Sequence, residues 1–228
     1  MLYIVSTPIG NLEDITFRAI RILREVDFIV SEDTRTTTKL LKYYQIPKKP
    51  LLSFNDYNSK KKIPLIIDLI KKEKTCALVS EKGTPCICDP GYQLINECLN
   101  NNIQISPIPG ATAVISALVT SGFSSDQFTF IGFLPKSKNK IEKIIKNDEL
   151  NKRTLIIYES MYRIIKTLKI LNEIIPDRKI CIAREITKKF EEFNIDKVTK
   201  ITKDYKNRKK QETKGEYVII IEKNTTKK

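Results

Sequence analysis

The 228-residue chain contains no histidine and no tryptophan. Without histidine, zinc sites of the mixed Cys/His kind are excluded. An imidazole base is excluded too, so any proton acceptor must be a carboxylate, a lysine of lowered pKa or water. The five cysteines, Cys76, Cys86, Cys88, Cys98 and Cys181, are odd in number and form no CxxC pair. No stretch approaches the roughly 18 apolar residues of a membrane span. Met1 leads directly into strand-like sequence, so no signal peptide is expected. These features together predict a reduced, cytoplasmic protein. No GxGxxG occurs either, which argues against a nicotinamide cofactor.

What is present suits a folded α/β protein. The hydrophobic fraction of 41% argues against disorder, and the length allows one large domain or two small ones. The formal charge is +14. Residues 1–112 carry 15 basic and 12 acidic groups, a difference of +3, which leaves 26 and 15, or +11, for residues 113–228. A basic half suggests a polyanionic partner such as nucleic acid. Composition offers the competing account: lysines outnumber arginines 32 to 9 and Ile and Asn are abundant, as in an AT-rich genome.

The stretch Leu2 to Arg35 sets the plan of the first half. An apolar strand, Leu2–Val5, enters the loop STPIGN, where Gly10 permits a tight turn. Asp14 or Thr16 can cap a helix with Ile20, Leu23 and Val26 on one face. A second strand, Phe28–Val30, ends in the loop SEDTR. Such a β-loop-α-β unit places ligands at the carboxyl ends of parallel strands. A helix over Arg35–Tyr44, a strand at Leu51–Phe54, the polar loop NDYN and a helix over Ile63–Lys74 follow. CALVS (Cys76–Ser80) reads as a buried parallel strand. The rigid loop EKGTPCICDPG precedes a helix predicted to begin at Pro90 and run through Leu99. Gln104–Pro107 suggests a strand, and PIPGATA leads into an apolar helix over Thr112–Thr120, whose start could bind an anionic group. Three strand-to-loop junctions, at Thr7, Ser80 and Pro109, are therefore expected on one edge, each with a glycine to keep side chains off a ligand.

The second half changes character, and a separate domain is expected to begin near Ala113. FTFIGF (Phe128–Phe133) and TLIIYES (Thr154–Ser160) read as strands, separated by the lysine-rich PKSKNKIEKIIKN. A helix over Tyr162–Ile175, a strand KICIARE, a charged helical or loose segment from Asp196 to Gln211 and a last strand GEYVIIIE complete it. Strands outnumber helices, so some must be antiparallel.

The ordered stretches YIVSTPIGNLEDIT, SEDTR, ALVSEKGTP with DPGY, PIPGATA, GFLP, YES, AREITK and KGEYV span essentially the whole chain. In this set the chain resembles the ribosomal RNA small subunit methyltransferase I family, within the tetrapyrrole-methylase superfamily. The resemblance implies a two-domain α/β homodimer, with a parallel sheet in residues 1–112 and a mixed sheet in 113–228. It implies S-adenosylmethionine as cofactor, no metal, and 2′-O-methylation of a cytidine ribose in the decoding region of 16S rRNA.

Carried onto this sequence, Gly83, Thr84 and Pro85 match the superfamily's Gly-Asp-Pro cofactor loop, and Pro109, Gly110, Ala111 and Thr112 its Pro-Gly-x-Ser/Thr loop. The remaining expected cofactor contacts are Thr7, Pro8, Ile9 and Gly10, then Ile87, then Tyr158, Ser160, Met161 and Ala183. Departures from the family pattern are Glu81-Lys82 for an Asp and a small residue, FNDYN for a histidine-containing stretch, Ala111 for a proline and Tyr162 for a histidine.

A ribose hydroxyl is a weak acid, and its attack benefits from a base or from charge stabilising the alkoxide. Glu159, Glu185 and Lys188 are the candidate bases, and Arg184 the candidate stabiliser, with a structural Arg184–Glu185 ion pair as the competing reading. Phosphate contacts are expected from Arg35, Lys136, Lys138, Lys140, Arg153 and Arg163, and from Lys188, Lys189, Arg208, Lys209 and Lys210. Tyr57 and Tyr162 could stack on bases. Two other functions remain open: a methyltransferase acting on a tetrapyrrole or diphthine-like substrate, and a non-catalytic RNA-binding assembly factor.

Overall fold

The computed structural model describes residues 1–209 and 211–224, and of 148–151 only the backbone. The chain divides into two compact units, Met1–Thr112 and Ala113–Lys228.

In the first unit, β1 (Leu2–Val5), β2 (Phe28–Ser31), β3 (Leu51–Ser53), β4 (Cys76–Val79) and β5 (Ile105–Ile108) form an all-parallel sheet. Their order is β3-β2-β4-β1-β5. The helices are α1 (Phe17–Glu25), α2 (Thr34–Tyr43), α3 (Ser59–Lys71) and α4 (Tyr92–Asn100). Alternation along each strand divides the core in two. Leu2, Phe28, Val30, Cys76 and Leu78 pack with Ile66, Ile67 and Ile70 of α3 and with Leu94 and Cys98 of α4. Val5, Ile29, Ala77 and Val79 face Ala19, Ile22 and Leu23 of α1 and Leu41 of α2. Coverage on both faces explains why these strands are continuously apolar.

Thr16 caps α1, its hydroxyl accepting from Ala19 N at 3.0 Å. Asp14 instead lies in a short 3-10 turn, Leu12–Asp14, capped by Asn11. The helix expected from Ile63 begins at Ser59, because Asn55 and Asn58 build a turn whose side chains accept from backbone N–H groups. The helix expected at Pro90 starts at Tyr92. Gly91, with φ 144°, precedes it, and no side chain caps it.

The second unit opens on α5 (Ala113–Thr120) and contains β6 (Phe128–Phe133), α6 (Lys138–Asn151), β7 (Thr154–Ser160), α7 (Ile164–Ile174), β8 (Lys179–Arg184), β9 (Glu192–Lys197), α8 (Val198–Asn207) and β10 (Glu216–Ile221). The sheet order is β6-β7-β10-β8-β9, with only the β6–β7 pair parallel. Leu155, Ile157, Ile180, Ile182, Ile219 and Ile221 pack under α6, α7 and α8. Truncating one such residue, for example Ile219→Ala, costs about 2–5 kcal/mol. The alternate residues Ile156, Cys181, Ala183 and Ile220 are equally buried. Sequence reading missed α6, where Ile141, Ile144 and Ile145 sit at helical spacing among lysines, and missed β9. Among the described residues, no helix is long and apolar enough to cross a membrane.

Candidate active site

Three loops leave the neighbouring strands β4, β1 and β5 at their carboxyl ends, and they are knitted into one structure. Thr7 and Gly83 exchange backbone hydrogen bonds, Thr7 N to Gly83 O at 2.8 Å and Gly83 N to Thr7 O at 3.0 Å. Thr84 Oγ1 donates to Ala111 O at 3.1 Å and lies 2.9 Å from Ser6 Oγ. One hydroxyl thus ties all three loops together. Ser80 Oγ closes its own turn, 3.3 Å from Gly83 O.

Two of the glycines also serve loop packing. A Cβ on Gly110 would lie 2.8 Å from Ser6 Cβ, and one on Gly83, whose φ is +77°, would lie 3.1 Å from Ile9 Cγ2. Both therefore allow loop to meet loop, which in turn forms the rim. Thr7, Pro8, Ile9, Gly83 and Pro85 are buried, whereas Gly10, Pro109, Gly110 and Ile87 are exposed and Thr84, Ala111 and Thr112 are half-buried. The expected contact set splits into a buried foundation and an accessible rim. Ser6, which sequence reading missed, is its hidden link.

An acidic patch borders this rim. Glu32, after β2, accepts from Glu81 N at 3.3 Å. Burial, then Glu32 and then Glu81 push the Asp89 carboxyl up to about 6, against a lowering hydrogen bond from Ser80. Arg35 is held by Asp33, which also caps α2. Burial raises the thiols of Cys86 and Cys88, with Asp89 adding to both. Cys86 packs against the helix-side core of the first unit, whereas Cys88 is exposed.

In the second unit, strand alternation separates the YES residues. Tyr158 and Ser160 lie on one face, with Tyr158 flanked edge-on by Phe130 and Phe133 at 4.8 and 5.8 Å. Glu159 points to the helix side, where its side chain has no exposed surface. Ser160 N donates to its Oε1 at 2.8 Å and Thr167 Oγ1 to its Oε2 at 2.6 Å. That carboxylate is a structural anchor, which removes it from the candidate bases. Met161, half-buried, packs against the helix-side core, and Ala183 is fully buried, so the Ala183 side chain offers no ligand surface.

Lys188 is clamped between carboxylates, donating to Glu185 Oε1 at 2.8 Å and Glu216 Oε2 at 2.7 Å. Burial alone would lower its pKa. The two hydrogen bonds outweigh burial and raise it, so Lys188 is an ammonium ion rather than a base. The loop holding it is strained: Glu185 and Thr187 have φ of +51° and +65°, unusual above all for a β-branched residue. Gly215 makes room, since a Cβ there would lie 2.6 Å from Glu185 Cγ.

Arg184 does not pair with Glu185. Its Nε donates to Glu192 Oε2 at 3.0 Å and its NH1 to Lys214 O at 3.1 Å. Glu192 also receives both terminal nitrogens of Arg208, at 3.0 and 2.5 Å. Arg184 and Arg208 are thereby built into the fold through Glu192.

Lys136, Lys140, Arg153, Lys189 and Lys209 are exposed. Lys138 is paired with Glu173. Tyr57 and Tyr162 are almost wholly exposed, and so is much of Phe190, which sequence reading missed. Lys210 lies outside the described residues. Among the described residues, no group of three His, Cys, Asp or Glu could hold a metal ion.

Residues 1–202 match the family model for Tetrapyrrole (Corrin/Porphyrin) Methylases, so the class is that of the tetrapyrrole methylases. Solved structures with this fold include diphthine synthase, at a TM-score of 0.73 and 13% identity over 97% of this chain and 89% of that one. The methyltransferase CobJ aligns at 0.71 and 16% over 100% and 95%. Much nearer in sequence is ribosomal RNA small subunit methyltransferase I of Thermotoga maritima, 46% identical over 96% of this chain and 97% of that one. The protein of the same name from Hydrogenobaculum sp. is 44% identical over 99% and 96%. The chain belongs to the ribosomal RNA small subunit methyltransferase I family, and it is a methyltransferase.

Proposed function

We propose that this protein, as a cytoplasmic homodimer, transfers a methyl group from S-adenosylmethionine to the ribose 2′-hydroxyl of a cytidine in the decoding region of 16S rRNA. The observation that carries the reading is the three-loop edge, Ser6–Gly10, Gly83–Pro85 and Pro109–Thr112, held by a single threonine hydroxyl in a chain whose relatives bear that name.

The residues present fit the cofactor. The rim exposes small residues and backbone where Gly110 and Ala111 turn, as close approach by a large, flat ligand requires. Ser6, Thr84 and the Thr7–Gly83 bridge fix that rim before anything binds, which lowers the ordering cost. When bound, S-adenosylmethionine supplies an electrophilic methyl group on a sulfonium. Much of the remaining rate is then positioning.

On the substrate side, Lys188 is a fixed positive charge suited to stabilising a developing alkoxide or holding the neighbouring phosphate. Glu185 orients it and is the remaining carboxylate candidate for the hydroxyl's proton, the other acceptor being water. The exposed lysines of the second unit supply the attractive field for RNA.

Mapping ribose methylation on rRNA from a strain lacking the gene, with and without complementation, tests the reading. One decoding-region cytidine should lose its 2′-O-methyl group and regain it. A complete methylation pattern in the deletion strain would refute it.

A further inference from the structure

The lysine-rich entrance to α6 faces α7 across a small pocket of about 200 Å³, lined by Lys136, Ile141, Arg163, Lys166, Thr167 and Ile170. Three cations and no carboxylate line it. Among the described residues, neither the Lys136 nor the Lys166 ammonium takes part in a hydrogen bond or ion pair, and both side chains are exposed. The Lys138 ammonium next to this pocket is already neutralised by Glu173.

Arg163 differs from those lysines in being held from behind. Its NH2 donates to the carbonyls of Leu134 at 2.7 Å and Pro135 at 3.1 Å. Its Nε stands 3.6 Å from the buried Glu159 carboxylate, which Ser160 N and Thr167 Oγ1 lock in place. The guanidinium plane is thus fixed by the GFLP loop on one side and the YES strand on the other. NH1 has no acceptor among the described residues. A planar donor fixed in this way, with two mobile ammonium groups beside it, is the arrangement that binds a phosphate oxygen.

We infer that Lys136, Arg163 and Lys166 form a phosphodiester subsite for the RNA strand, with Glu159 as the positioning residue of Arg163. The inference rests on the RNA reading above and gives it a location. It also accounts for Glu159, a carboxylate too buried to act as a base. An apolar floor of Ile141 and Ile170 sets the guanidinium against low-dielectric surroundings, where its field is less screened.

The test measures affinity for a decoding-region fragment of 16S rRNA at several salt concentrations. The surface double variant K136Q/K166Q should lower the magnitude of the log K against log salt slope by about 1, with unchanged cofactor affinity and thermal stability. R163K keeps the charge but not the fork, and should weaken RNA binding several-fold. E159Q should weaken it in the same direction with the slope little altered, because it loosens Arg163 without removing a cation. An unchanged slope in K136Q/K166Q would overturn the subsite, while wild-type methylation of the fragment would leave the RNA reading standing. Loss of inorganic-phosphate binding with RNA binding untouched would assign the pocket to a free anion and overturn the inference as well.

Discussion

Gly110→Ala is the most discriminating perturbation of the proposed cofactor edge. The added Cβ would sit 2.8 Å from Ser6 Cβ, whereas relaxed carbon contacts lie near 3.5–4.0 Å. The Pro109–Thr112 loop must therefore withdraw by roughly 1 Å. That withdrawal stretches the Thr84 hydroxyl bridge, whose two links are 2.9 and 3.1 Å. Overpacking of this kind costs about 1–3 kcal/mol, and each strained hydrogen bond about 1 kcal/mol. Because Gly110 is exposed at the rim, most of the strain can be relieved by local movement. The global fold should survive, with Tm down by only a few degrees.

The cofactor would then meet a displaced edge. A penalty of about 1.4–2.8 kcal/mol corresponds to a tenfold to hundredfold weaker Kd for S-adenosylmethionine, read by titration calorimetry. The companion variant S6G removes the atom that the new methyl group would strike. G110A should therefore cost clearly less in an S6G background than alone, a coupling of about 1 kcal/mol or more in the double-mutant cycle. Wild-type affinity in G110A refutes the site. Simple additivity in the cycle refutes the steric route even if affinity falls.

Three further outcomes are expected. The Asp89 carboxyl, raised to about 6 from an ordinary 3.8, makes the fold lose stability as pH rises from about 4 through 6, so Asp89→Asn should raise Tm at pH 7 and not at pH 4. Lys188, held cationic by two carboxylates, should give no rise in single-turnover rate attributable to its deprotonation between pH 7 and 9. K188Q should lower that rate even at saturating RNA. Sedimentation at micromolar concentration should give about twice the chain mass of 26.3 kDa, and an active monomer throughout that range would exclude the dimer.

The parts legible in the sequence were those with strong local physics. Continuous apolar runs marked the parallel strands, and Gly-Pro punctuation marked the loops between them. What escaped depended on partners distant in sequence. Ser6 became a site residue only when Thr84 and Ala111 arrived from two other strands. Glu159 read as a possible base because its burial is set by Thr167 on the following helix. The Arg184–Glu192 pair could have been found through β9, since the two residues are register partners across β8 and β9. EFNIDK carries too weak an alternation to announce that strand. The Pro90 helix start failed because Gly91, at φ 144°, breaks the helical path that proline would otherwise begin.

The basic second half resolves into two populations with different work. Of its five arginines, four are engaged with the protein itself. Arg178 donates to Glu222 O, Arg184 to Glu192 and Lys214 O, and Arg208 grips Glu192 while stacking 4.2 Å from the Tyr205 ring. Arg163 is anchored by the carbonyls of Leu134 and Pro135. Guanidinium forks suit such fixed, multi-donor positions, whereas lysine ammonium groups outside ion pairs such as Lys138–Glu173 and Lys188–Glu185 remain mobile and hydrated. The field offered to a polyanion therefore comes mainly from lysines, and it is screened over about 10 Å at 0.1 M salt. A surface of mobile lysines attracts RNA without selecting a nucleotide. Selection requires rigid groups, and in this unit the rigid cations that retain free donors are few. Arg163 and the clamped Lys188 are where attraction can become register.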